Sequence, residues 1–367
     1  MIRTLDVAVI GGGQAALAAG FYLRRTSLRF AMFDADVSPG GAWAHAWSSL
    51  YLFSPARASS LPGWPMPATA NNYPTRDETI AYLAEYERRY ALPVERPVGI
   101  VATLDAAEAL HLVTDTHDII AARAVISATG TWSAPNLPHF TDQSEFRGRV
   151  VHSAQYAGHE AFEGQRVLVV GAGNSGAQIF ADLVNQCRVT WVTAAPPVFL
   201  PDEVDGEYLF DQGTARFNAI KEGRTPDTPK SLGDIVMVES VRAVRERGLL
   251  KSVPLFRRFT TTGVEWTDGS HEHIDAVILA TGFRPAIQHL APLATPDARG
   301  RLAMDGLRAA AHPMLFPLGY GDWTGFASAT LIGVGRAAKA VVDAIESDLK
   351  QSTTEGGEGE TEKRANP

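Results

Sequence analysis

The sequence has a single cysteine, Cys187, among its 367 residues. An internal disulfide cannot form, and a reducing compartment, the cytoplasm, is the simplest expectation. The same scarcity excludes the usual disulfide reductase, which needs a cysteine pair. Long apolar runs are also missing. None approaches the ~20 residues that span a bilayer, so a soluble chain with no membrane partner is expected. The opening residues, MIRTLDVAVI, lack a signal-peptide layout and pass straight into a strand-like run. Dense Lys/Arg runs are absent and the formal charge is −8, which argues against nucleic acid as a partner. There is no tandem repeat of solenoid length. Metal-ligand spacing is missing too. His271 and His273 form only a superficial pair, and the preceding Asp268-Gly269 marks a surface hairpin instead.

Two similar glycine-rich passages stand out: LDVAVIGGGQAALAAG at 5–20 and RVLVVGAGNSGAQIFADL at 166–183. Around them, short β-branched runs such as DVAVI, RFAMFDA, AVISATG, RVTWVTA and AVILATG alternate with helix-compatible stretches. This alternation predicts an α/β fold with parallel, doubly wound sheets. A helix is expected over 75–92, where Thr75 and Glu78 have the form of a capping box and Ile80, Leu83, Tyr86 and Tyr90 keep a helical spacing. A second is expected over 327–349. Residues 44–74 are rich in Pro, Ser and aromatics without a period, as functional loops are. The tail 350–367 is Gly/Glu-rich and is expected to be disordered.

In the first passage, Gly11, Gly13 and Ala16 give GxGxxA between a strand and a helix. The first glycine permits the turn and the second lets the backbone approach a pyrophosphate. The small third residue lets helix and strand pack closely, and the helix N-terminus supplies N–H groups to phosphate. Asp34 closes the unit roughly 20 residues on, where an acid accepts hydrogen bonds from a ribose diol. In the second passage, Gly171, Gly173 and Gly176 repeat the pattern, but the matching position is Ala194. An acid there would repel the 2′-phosphate of NADPH; its absence tolerates one, and no Lys or Arg stands there to grip it. Two unlike sites suggest two unlike dinucleotides: FAD held at the first, and an exchanging NADPH, or NADH, at the second.

Between the passages lies Phe146-x-Gly148-x-x-x-His152-x-x-x-Tyr156, and two ATG turns, Thr129–Gly130 and Thr281–Gly282, each follow a buried-looking strand. The FxGxxxHxxxY element between two Rossmann-type fingerprints resembles the flavin-containing monooxygenases, the class B flavoprotein monooxygenases, over essentially all of 5–349. SLYLFSPARASSLPGWPMP, DGEYLFDQ and GYGDWTGFASATLIGVGR are similar to the short flavin monooxygenases of arsenic-resistance operons. The resemblance implies two Rossmann-like domains, the second inserted in the first: an FAD domain of 1–143 and 268–349 around an NAD(P)H domain of 144–267. It implies FAD contacts from Gly11, Gly13, Gln14, Ala15, Asp34, Gly41, Ala42, Trp43, Val98, Thr129, Gly130, Asp322, Ala329 and Thr330. It implies NAD(P)H contacts from Gly171, Gly173, Asn174, Ser175, Gly176, Thr193, Thr281 and Gly282. The departure from the NADPH pattern is at Ala194–Ala195, where a basic residue is common.

The activity implied is oxygen transfer. NAD(P)H reduces the flavin, O2 gives a C4a-hydroperoxide, and one oxygen passes to a small substrate with a soft sulfur, nitrogen or arsenic centre. No strong protein base is required. Arg57 is the one candidate catalytic residue, against the ordinary reading of an exposed loop arginine. His152 could donate a proton, but anchoring the interdomain linker is the favoured role. Trp43 and Trp47 could wall the flavin or simply fill a core. The alternatives are an NAD(P)H reductase that passes electrons to a quinone or other acceptor, and a flavin-binding redox sensor. A homodimer is left open, and a lid over the entrance is expected from 200–235.

Overall fold

The computed structural model describes residues 2–361 apart from 71–72, 209, 212–213, 216–221, 223 and 225–233, and only the backbone of 352–361. The expected lid therefore lies largely outside the described residues, as does the end of the tail. The first sheet is built from β1 (Arg3–Ile10), β2 (Phe30–Phe33), β3 (Val94–Glu95), β4 (Ile100–Ala106), β5 (Ala109–Thr114) and β6 (Ile119–Ser127). Its order is β3-β2-β1-β6-β5-β4, with Leu315–Pro317 also pairing β6. The pairs β1–β2 and β1–β6 are parallel. β4 and β5 depart from the expected parallel pattern and run antiparallel. Only Ala107 and Glu108 separate them, too few for the crossover that parallel strands need.

Alternate residues of β1 serve opposite cores. Val7 and Val9 pack with α1 (Gln14–Leu23), α2 (Arg76–Arg89) and the last helix, Leu331–Thr361. Ala8 and Ile10 pack with Ile287, Leu290, Leu302 and Tyr320. Burial on both faces explains the near-continuous apolar runs of these strands. The last helix continues to Thr361, past the start of the Gly/Glu-rich tail.

A second, fully parallel sheet holds β7 (Arg149–His152), β8 (Arg166–Val170), β9 (Arg188–Thr193) and β10 (Ser252–Pro254). Its helices are α3 (Asn174–Leu183) and α4 (Glu239–Glu246). Between them and the return to the first sheet come β11 (Arg258–Thr260), β12 (Gly263–Glu265), β13 (His271–His273) and β14 (Ala276–Leu279). β11–β13 form a small antiparallel sheet, and the hairpin at Asp268-Gly269 closes with Gly269 N–H donating to Trp266 O. His271 and His273 stand exposed on it, and no metal-holding group of side chains occurs among the described residues. β14 lies between β7 and β8 in the order β10-β9-β8-β14-β7. β14, within the 268–349 stretch expected in the first unit, therefore joins the second sheet. The physical reason is symmetry: each ATG strand pairs with the strand of its own glycine passage, β6 with β1 and β14 with β8.

α2 clamps the irregular 44–74 segment. Thr75 caps it, with the reciprocal Glu78 contact of a capping box. Its buried face is Thr79, Tyr82, Leu83 and Tyr86, one step round from the expected stripe, with Ile80 and Tyr90 only half-buried. The shift follows from the tyrosine hydroxyls, which need partners inside: Tyr82 donates to Trp64 O and Tyr86 to Pro62 O. No helix among the described residues is long and apolar enough to cross a membrane. Thr75→Ala removes the cap and is expected to lower unfolding free energy by ~1 kcal/mol in urea denaturation.

Candidate functional site: two glycine cradles

β1 ends at Ile10 and the chain turns into α1 through Gly11, at φ +114°. A Cβ on Gly11 would lie 2.5 Å from Ala128 O, the carbonyl of the first ATG turn. The second passage repeats this. A Cβ on Gly171, at φ +143°, would lie 2.1 Å from Ala280 O of the second ATG turn. Each ATG turn thus rests against the first glycine of its own cradle. The middle glycines are open: a Cβ on Gly13 would meet nothing nearer than 3.8 Å, and one on Gly173 nothing within 4 Å. Both helices begin without a side-chain cap, so their first N–H groups are available to phosphate oxygens.

The first cradle opens into a cavity of about 710 Å³. Its walls include Gly11, Gly13, Gln14, Ala15, Asp34, Gly41, Ala42, Trp43, Val98, Thr129, Gly130 and Ala329. Asp34 is buried at the end of β2. Its Oδ2 accepts from Arg96 Nε at 2.7 Å, while Oδ1 carries only a long 3.4 Å contact from Asp36 N–H. Burial raises the Asp34 pKa, and the Arg96 guanidinium opposes that. Arg96 also forks onto Glu87 of α2 at 2.7 and 2.8 Å. Nothing in the sequence pattern singled out Arg96 or Glu87. Gln14 donates to Ala329 O and accepts from Trp43 Nε1, tying α1, the 41–45 turn and the segment leading into the last helix together.

His289 also lines the cavity. Its Nε2 lies 3.0 Å from Ser127 Oγ, and burial pushes its pKa down to about 4. Ser127 and Thr129 both bond the Tyr320 hydroxyl. The GYGDW motif drew attention to Asp322, but Tyr320 is the residue it places beneath the cavity.

In its overall family, the chain matches the pyridine nucleotide-disulphide oxidoreductases over residues 8–208. The chain is 46% identical to a flavin-containing monooxygenase of Stenotrophomonas maltophilia, with a TM-score of 0.86 over 95% of this chain and 100% of that one. An uncharacterized CzcO-like oxidoreductase of Geobacillus kaustophilus is 30% identical over 77% of this chain and 82% of its own. The indole-3-pyruvate monooxygenase YUCCA4 of rice (Oryza sativa subsp. japonica) is 28% identical over 77% of this chain and 74% of its own.

The chain is a member of the pyridine nucleotide-disulphide oxidoreductase family, on its flavin-containing monooxygenase side.

It is accordingly an enzyme, a flavin monooxygenase-type oxidoreductase with the two-domain FAD/NAD(P)-binding fold of these proteins. The disulphide chemistry in the family's name finds no support in Cys187. That thiol donates to Phe162 O, and burial raises its pKa, which makes it a poor nucleophile.

Several expected site residues are placed elsewhere or are already engaged. Arg57 is exposed and forks onto Glu207, so it joins the 54–60 turn to the described start of the 200–235 segment and does not line the cavity. Trp47 packs against Tyr156, ring centroids 5.9 Å apart, in the second sheet's core. Asp322 and Thr330 are outside the cavity wall; the Thr330 hydroxyl accepts from Gly333 N–H at the start of the last helix. The Asn174 side chain donates to Asp234 O and accepts from Val236 N–H. Ser175 and Gly176 follow it in the first turn of α3, where a Cβ on Gly176 would meet Gly171 O. Thr193 Oγ1 donates to Ser252 Oγ, and Thr281 Oγ1 to Asn136 O. His152 is buried: its Nε2–H donates to Gly282 O and its Nδ1 accepts from Ala154 N–H. Phe146 packs on Phe259, and a Cβ on Gly148 would strike Asp275 O. Tyr156 donates to Asp182 on α3.

Two outcomes follow. Arg96→Met strands the buried Asp34 carboxylate and the partly buried Glu87 and is expected to cost about 3 kcal/mol, with loss of bound flavin read from the absorbance ratio of the purified protein. His289 favours its neutral form in the folded state, so its contribution is full above the unfolded pKa near 6.5. It is lost progressively as pH falls toward about 4. Denaturation series across that window should show a slope that His289→Gln reduces.

Proposed function

We propose that this enzyme is an FAD-dependent, NAD(P)H-consuming monooxygenase that inserts one oxygen atom of O2 into a small substrate at a soft sulfur, nitrogen or arsenic centre. The observation that carries this reading is the pair of matched cradles, one with a buried acid and one without. Gly11, Gly13, Gln14 and Ala15 would hold the FAD pyrophosphate, and Asp34 Oδ1, which carries only the long Asp36 N–H contact, suits a ribose hydroxyl. Val98 would border the adenine, and Gly41, Ala42 and Trp43 the flavin. Gly171, Gly173, Ser175 and Gly176 would receive the coenzyme phosphates, with Thr193, Thr281 and Gly282 beside them. The units so defined are an FAD unit on the first sheet and an NAD(P)H unit on the second.

When bound, FAD would supply the redox chemistry: it takes hydride from NAD(P)H and passes electrons to O2, with the second oxygen leaving as water. The chain's own work is binding and alignment. His152 has its Nε2 proton committed to Gly282 O and its Nδ1 lone pair committed to Ala154 N–H. It therefore fixes the second ATG turn and moves no proton. The Asn174 side chain spends one N–H on Asp234 O and accepts from Val236 N–H, which anchors it to the 234–236 segment. Ala194 and Ala195 are exposed and carry neither acid nor base. That permits NADPH, the preferred reading, without excluding NADH.

The test is NADPH and NADH oxidation by the purified protein in oxygenated buffer, with peroxide measured alongside, in the presence of a thioether, a tertiary amine or a trivalent arsenical. Oxygenated product with peroxide well below the coenzyme consumed is the expected result. Stoichiometric peroxide with every substrate, and faster turnover with a quinone, would establish a reductase instead.

A further inference from the structure

The polar groups beneath the cavity form a chain in which every proton has a forced direction. Thr129 Oγ1 donates its one proton to Ala286 O at 2.7 Å. The Tyr320 hydroxyl, 2.7 Å from Thr129 Oγ1, must then donate to it. Ser127 Oγ, 2.6 Å from the Tyr320 oxygen, must donate in turn. His289 Nε2, 3.0 Å from Ser127 Oγ, is left as the donor at the far end. Thr129 N–H completes the set by donating to the Tyr320 oxygen at 3.2 Å. The carbonyl of Ala286 thus fixes His289 as the tautomer with its proton on Nε2 and a lone pair on Nδ1. Ser127, Tyr320 and His289 are all buried. His289 Nδ1 has no partner among the described residues, yet it is not among the sealed, unsatisfied atoms. The ring stands in the cavity wall.

Ser127 and Thr129 flank Ala128, whose carbonyl is the one pressed against Gly11. A chain that holds both neighbours of Ala128 holds the height of the first cradle.

We propose that His289 is a cofactor-binding and positioning residue: its Nδ1 accepts a hydrogen bond from a hydroxyl or amino donor of the dinucleotide in the cavity, and its Nε2–H begins the Ser127–Tyr320–Thr129 relay that sets the first ATG turn against Gly11. This rests on the reading of the cavity as the FAD site. Tyr320 acts through the turn and touches no cofactor; it is a positioning residue. Its ring stacks on Trp323, centroids 5.5 Å apart, so Tyr320→Phe keeps the packing and removes only the hydroxyl.

The experiment titrates FAD into the full-length chain stripped of flavin and follows flavin fluorescence. Tyr320→Phe, Ser127→Ala and His289→Leu are each expected to raise the FAD Kd about tenfold, since each leaves a buried partner unsatisfied. His289→Gln, which restores an N–H donor toward Ser127, should recover a good part of the loss. Ile345→Ala, which opens a cavity on the buried face of the last helix, should lower the melting temperature and leave Kd unchanged. Equal Kd values in all variants, or Kd changes that only track melting temperature as Ile345→Ala sets it, would overturn the relay. An unmutated chain that takes up no FAD would overturn the reading of the cavity itself.

Discussion

Both cradles depend on one close approach, a turn carbonyl seated where a side chain on the first glycine would be. Ala128 O meets Gly11 and Ala280 O meets Gly171, at 2.5 and 2.1 Å from an imagined Cβ. Each contact joins the strand entering the cradle to the strand leaving its sheet, so the cradle's shape becomes a property of the sheet. The turns carry their own restraints. The first is held by the Ser127–Tyr320–Thr129 bonds, the second by His152 and Asn136. A phosphate-binding loop needs this rigidity, because its donors act through fixed position rather than through charge of their own.

The two turns are also tied to each other. Ala286 N–H donates to Gly130 O, Arg284 N–H to Ala134 O, and Asn136 N–H to Gly282 O, a short antiparallel ribbon between the sheets. Trp132 stacks on Phe283 across it at 5.2 Å. The irregular segment adds a second strap: Trp47 on Tyr156, Ser49 to Asp182, Tyr51 N–H to Gln178 and Arg57 to Glu207. The unpatterned 44–74 segment is thus one of two connections between the halves. For chemistry carried by two dinucleotides, alignment of their sites is the contribution the protein must make.

The charged and neutral networks under the first cavity do different work. Arg96 sits between buried Asp34 and a partly buried Glu87, with only small parts of the three side chains exposed. Such a cluster adds little net stability, because desolvation offsets attraction. It fixes which carboxylate oxygen of Asp34 remains for a ligand. The His289 chain involves no net charge, and its direction is set by a backbone carbonyl.

The local sequence determined what local chemistry can determine. Glycine spacing after an apolar strand gave both cradles, the capping box gave the start of α2, and the absence of an acid at Ala194 separated the two sites. These signals lie within a few residues of one another, where sterics and hydrogen bonding act directly. The tertiary structure decided everything that depends on distant segments meeting. Arg96 reaches Asp34 across 62 positions, and Tyr320 reaches Ser127 across 193. Trp47, for which the motif left core packing open, packs on Tyr156, and the Asn174 side chain bonds the backbone at Asp234 and Val236. A side chain's partner is set by where sheets and crossovers bring the backbone, and no local pattern encodes that. The same holds for β14, whose place in the second sheet was fixed by pairing with β7 and β8 and not by its distance along the chain.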